Sequence, residues 1–131
     1  MSAIEFASVV AAISQRLREL AVPWIGGAAG FADPARLELA PRTDPFTGQA
    51  TLVGKWSPDA QGRRGAVTLN DDGSFFAEHD VLVWQGTHFV EAVTVWGRPG
   101  VMKGEARFLD ETGEPAAGRH AGQGGGGWNS N

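Results

Sequence analysis

The sequence predicts an α+β domain, an N-terminal helix packed on a curved antiparallel β-meander of about five to six strands. Three observations carry this. Between Arg63 and Leu109, three turn signals separate four segments that alternate apolar and polar residues. Ahead of them, Phe6, Val9, Val10, Ile13, Leu17 and Leu20 recur at the three- and four-residue spacing of an amphipathic helix. From Asp110 onward the chain turns to Gly, Ala, Pro and polar residues, too little apolar area to offset its ordering entropy. Residues 1–109 are therefore expected to form a single domain and 110–131 a Gly-rich flexible C-terminal tail.

Ser2 followed by Glu5 fits a capping box, in which hydroxyl and carboxylate each satisfy a backbone N–H at the helix start. Pro23 is expected to end the helix. Its polar side carries acidic and basic residues and is not Lys-rich, which favours a helix laid on the sheet over a membrane-surface anchor. Gly26-Gly27-Ala28-Ala29-Gly30 follows the helix instead of joining a strand to a helix start, and it lacks the P-loop lysine, so it reads as a connecting loop. Arg36 to Ala40 reads as a short strand, Asp44-Pro45-Phe46-Thr47-Gly48 as a turn, and Gln49 to Ser57 as a longer strand.

Within the meander, Asp71-Asp72-Gly73 suits a three-residue hairpin loop that pairs Leu69 with Phe75 and Val67 with Ala77. Gln85-Gly86 suits a two-residue loop, placing Val83 beside His88, Val81 beside Val90, His79 beside Ala92 and Phe75 beside Trp96. Gly97-Arg98-Pro99-Gly100 marks the next reversal, since Pro cannot continue a central strand. Alternation then puts Val67, Leu69, Phe75, Ala77, His79, Val81, Val83, Val90, Ala92, Thr94, Trp96, Met102 and Phe108 on a core face. The opposite face collects Phe76, Glu78, Asp80, Leu82, Trp84, Phe89, Glu91, Val93, Val95, Lys103, Glu105, Arg107 and Leu109. That many large hydrophobes on a second face calls for a covering layer, an interface or strong curvature, so the sheet is expected as a partial barrel or a cystatin-like wrap in a homodimer. Val93→Glu is the substitution expected to part the subunits.

At 131 residues and 42% hydrophobic content the chain suits one core. A net charge of −4 with scattered basic residues argues against nucleic acid as a partner. The absence of cysteine excludes disulfides, thiolate catalysis and Cys-ligated metal centres. The apolar run Phe6 to Ile13 contains no preceding basic region and leads into Gln15-Arg16-Leu17-Arg18, so no signal peptide, no membrane association and a cytoplasmic location are expected. No cofactor is implied.

Gly54-Lys55-Trp56, opening a run of antiparallel strands, resembles the Gly-x-Trp element of lipocalins and related ligand-binding barrels over those three residues. The resemblance implies a ligand cavity near Trp56. The residue chemistry alone reads Trp56 as a core aromatic whose indole N–H finds a backbone acceptor. Glu78-His79-Asp80 does not make a dyad, because consecutive strand residues point to opposite faces. His79 is expected inward among small residues, neutral, and either held by a backbone acceptor or offered to a ligand together with Trp56 and Trp96. On the outer face Asp80 is expected opposite Glu91, with Arg107 in reach of Glu91. This is a solvated charge ladder, or a proton-shuttling carboxyl pair if a second layer buries it. His79, His88 and His120 are too dispersed for a metal site. Trp128 in the tail is either loose or docked in a groove of its own or a neighbouring subunit.

These residues predict a small accessory or binding protein without catalysis. It would hold a small apolar ligand between helix and sheet, or a protein partner on the outer face. The alternative is a small enzyme using His79, or Asp80 and Glu91 with Arg107, for acid–base chemistry.

Overall fold

A computed structural model describes residues 3–26, 30–98 and 100–110. Among them, helix α1 (Ala3–Ile25) lies on one face of a six-stranded antiparallel sheet. The strands pair in chain order: β1 (Leu37–Thr43), β2 (Ala50–Trp56), β3 (Gly65–Asn70), β4 (Phe75–Gln85), β5 (His88–Arg98) and β6 (Val101–Asp110). β1 and β6 stay at opposite edges, so the meander is an open wrap and not a closed barrel. The capping box of Ser2, the middle of the Gly26–Gly30 connection, and the tail with His120 and Trp128 lie outside the described residues. β6 itself runs one residue into the segment assigned to the tail.

The helix stripe forms as its spacing predicts, with Val10, Ile13, Leu17, Leu20 and Ala21 buried against β4, β5 and β6. Each large side chain so removed from water contributes roughly 1.5 to 3 kcal/mol. Pro23 does not end the helix. Its missing N–H removes a single bond of the last turn, while the two residues beyond it pack on the core, Trp24 meeting Phe108 edge-on at 5.3 Å. The chain leaves the helix at Gly26, whose φ of 75° allows its N–H to reach the Val22 carbonyl at 3.1 Å. Close approach of helix and sheet depends on Gly104, where an added Cβ would lie 2.7 Å from Leu20 Cδ1.

The β3–β4 hairpin has the expected register, Leu69 facing Phe75 and Val67 facing Ala77. The β4–β5 hairpin differs. Its turn is Gly86-Thr87, so Gln85 faces His88 and Val83 faces Val90. A bulge between Asp80 and Val83 then sets Asp80 opposite Ala92, His79 opposite Val93 and Phe76 opposite Trp96. At the same level, a second bulge between Val90 and Ala92 sets Ala92 opposite Arg107, Val93 opposite Ala106 and Val95 opposite Gly104. Each one-residue shift exchanges faces for the residues beyond it, and the two cancel in β6. Only the stretch from Ala92 to Trp96 is inverted. Val93 and Val95 are therefore core residues at 0% exposure, while Thr94 and Trp96 belong to the outer face, contrary to simple alternation.

Candidate functional site

On the inner face one row across the sheet reads Trp56, Gly65, His79, Val93 and Ala106. His79 points inward as expected and is buried. Its Nδ1 lies 2.9 Å from the Asp80 carbonyl, a pairing that requires the Nδ1–H tautomer. Phe31, from the segment after the helix, covers the imidazole at 4.2 Å between centroids, and Trp56 flanks it at 5.5 Å. Gly65 leaves the space this takes, since a Cβ there would fall 2.6 Å from His79 Cδ2. Burial pushes the His79 pKa below its ordinary 6.5, against the opposing pull of the Asp80 carbonyl and the nearby Asp80 and Asp59 charges. The Trp56 indole donates to the Asp33 carbonyl at 2.9 Å, the arrangement of a satisfied core aromatic.

The loop from β2 to β3 closes this cluster from outside. Asp59 accepts from the Arg63 backbone and from its Nε at 2.7 Å, and the guanidinium sits 5.4 Å above the Phe31 ring. Burial works against the Asp59 charge, but these hydrogen bonds outweigh it and hold its carboxyl below the usual range.

Trp96 is not part of that cluster. It stands on the outer face, directly opposite Phe76, and the two flank an open groove of about 530 Å³ whose lining also includes Thr94, Glu105 and Arg107. Phe76 is 51% exposed. Below the groove, Arg107 donates from Nη1 to Glu78 at 2.6 Å and from Nε to Glu91 at 2.8 Å. Its side chain thus crosses from β6 over β5 to β4, which accounts for the burial of Ala92 and Thr94 beneath it. Burial disfavours the Arg107 charge, yet the two carboxylates more than compensate and raise its pKa. At the far end of the sheet Trp84 packs on Phe89 at 5.3 Å while remaining 60% exposed.

The expected confrontation of Asp80 with Glu91 is absent, because the bulge places Ala92 opposite Asp80. Asp80 instead accepts from the Arg64 backbone at 3.1 Å. Arg107 does reach Glu91, and it adds Glu78. Among the described residues no three His, Asp or Glu side chains gather as metal ligands, and no helix is long and apolar enough to cross a membrane.

The β1–β2 turn holds a feature that periodicity does not reveal. Phe46, at its tip, is 94% exposed and borders a shallow depression with Pro45, Thr51, Val53 and Thr68. The row Ala40, Val53, Thr68, Phe76, Trp96 and Lys103 links this depression to the groove, so both open on the outer face. Asp44 Oδ1 fixes the turn by accepting from the Phe46 and Thr47 backbones at 2.7 and 3.2 Å, which lowers its pKa. The only sequence signal is an aromatic inside a turn. No protein-family model, curated protein or solved structure matches the chain.

Proposed function

We propose that this chain is a non-catalytic binding protein whose working surface is the outer sheet face, and that its partner there is a second copy of itself in a homodimer. The observation carrying this reading is the exposure of Phe76, Trp84 and Leu82 on one face, around an ion-paired centre and an open apolar groove. An interface with aromatic anchors and satisfied charges has that composition. Over β4 to β6 the inner face offers less to a partner, since α1 already covers it there with Ile13, Leu17 and Leu20.

A second reading places a small apolar ligand in the Phe76–Trp96 groove. Its volume, about 530 Å³, favours this, lying within the roughly 300–1,000 Å³ of ordinary ligand sites. Sedimentation velocity over a wide concentration range separates the two. Self-association predicts a monomer–dimer transition abolished by Phe76→Asp. A monomer at every concentration, with groove fluorescence altered by apolar probes, favours the ligand.

A further inference from the structure

We infer that the homodimer is held by reciprocal insertion of Phe46 from each subunit into the Phe76–Trp96 groove of the other, an inference that rests on the proposed role of the outer face. Phe46 is a preorganised knob. The Asp44 carboxylate pins the Phe46 and Thr47 N–H groups, the Gly48 N–H donates to the Asp44 carbonyl at 2.8 Å, and the Asp44 N–H donates to the Gln49 carbonyl at 2.9 Å. Gln49 Nε2 further ties the turn to Asp71 of the β3–β4 loop at 3.3 Å. With the turn backbone already held in place, only the ring's own rotamers are left to be fixed on docking, and that lowers the cost of association.

Knob and groove are arranged for a closed pair. The β1–β2, β3–β4 and β5–β6 turns lie at one end of the sheet, so Phe46 and the groove over β4 to β6 sit at the same end. They are separated by three to four strand spacings, about 17 Å at ~4.8 Å per strand. Along the strands Phe46 lies past Thr43, three or more residues beyond the row of Phe76 and Trp96, or about 10 Å at ~3.3 Å per residue. A twofold axis between two stacked sheets and perpendicular to the line from Phe46 to the groove, hence oblique to the strands, carries each Phe46 onto the partner's groove. Both contacts then form at once and leave no open site for a third copy. The facing surface is large enough. Strands of six to eleven residues at ~3.3 Å rise and ~4.8 Å spacing give a footprint of roughly 800 Å², close to the ~800 Å² per partner of a standard interface.

Phe46→Ser provides the test, because a residue 94% exposed can change without disturbing the monomer fold. The full chain, Phe46→Ser and Phe46→Leu are compared by sedimentation equilibrium, with circular dichroism as the fold control. A truncated anchor costs about tenfold per contact, and two contacts per dimer weaken association about a hundredfold in Phe46→Ser, with Phe46→Leu largely retaining it. A dimer unchanged by Phe46→Ser but lost in Phe76→Asp overturns the knob while leaving the outer-face reading in place. A parent chain that never dimerises overturns both. Open-ended polymers in place of a dimer overturn the twofold exchange.

Discussion

Arg107 on β6 reaches across β5 to Glu78 on β4, so that one guanidinium joins the three longest strands through their outer faces. Glu91 accepts from the same group, so a single guanidinium neutralises two carboxylates. All three side chains are about a third to a half exposed, so the network is screened by solvent. Arg107→Met is expected to lower unfolding free energy by about 1 kcal/mol in dilute buffer. Urea titrations at low and at molar salt check it, the loss shrinking as ionic strength rises.

His79 gives the fold a defined acid sensitivity. Its folded pKa lies below 6.5 because burial disfavours the imidazolium, so the unfolded chain binds the proton more readily. Between the two values the unfolded state carries more protons and stability rises with pH. The contribution is complete above pH 6.5 and is lost as pH falls from there toward the folded value. Urea midpoints measured from about pH 7.5 down to about pH 5 should decline for the parent chain and stay flatter for His79→Phe.

The inverted stretch of β5 is tested by paired substitutions. Val93 has no exposure, so Val93→Glu buries an unpartnered carboxylate and is expected to cost more than about 4 kcal/mol, unfolding the chain. The same substitution cannot serve as an interface probe. Phe76→Asp, half exposed on the opposite side, should leave the circular dichroism spectrum intact.

Ser14 lies within α1 at 1% exposure, and its hydroxyl has no hydrogen-bonding partner among the described residues. Replacing a buried unmatched hydroxyl by a methyl removes its desolvation cost and improves helix propensity. Ser14→Ala should therefore stabilise the fold by about 1 kcal/mol, read as a rise in urea midpoint with unchanged slope.

The helix stripe, the open meander and the β3–β4 register were legible because each follows from a period and a turn. His79 inward and its acidic neighbours outward were equally legible, since alternation holds up to Asp80. A pair of bulges escaped. Their trace is nevertheless present: Val90, Val93 and Val95 break the alternation by one residue at Glu91-Ala92, and Val81-Leu82-Val83 is an uninterrupted apolar run. Leu82 at φ 58° marks the extra residue in β4. Because the two shifts cancel in β6, simple alternation fails only over Ala92 to Trp96, where it predicts Trp96 in the core and Val93 on the outer face. Trp56 and His79 share one row of the inner face, but their cover, Phe31 held under Arg63, comes from loops without a periodic signature. Phe46 was hidden for the same reason.

The most direct test of the outer face as the working surface is hydroxyl-radical footprinting of the full chain at low and at high protein concentration. Concentration-dependent protection is expected at Phe46, Phe76 and Trp96, with Val93, Val95 and Leu17 unreactive throughout. Equal reactivity of those aromatics at both concentrations, or protection confined to the helix side, would contradict it.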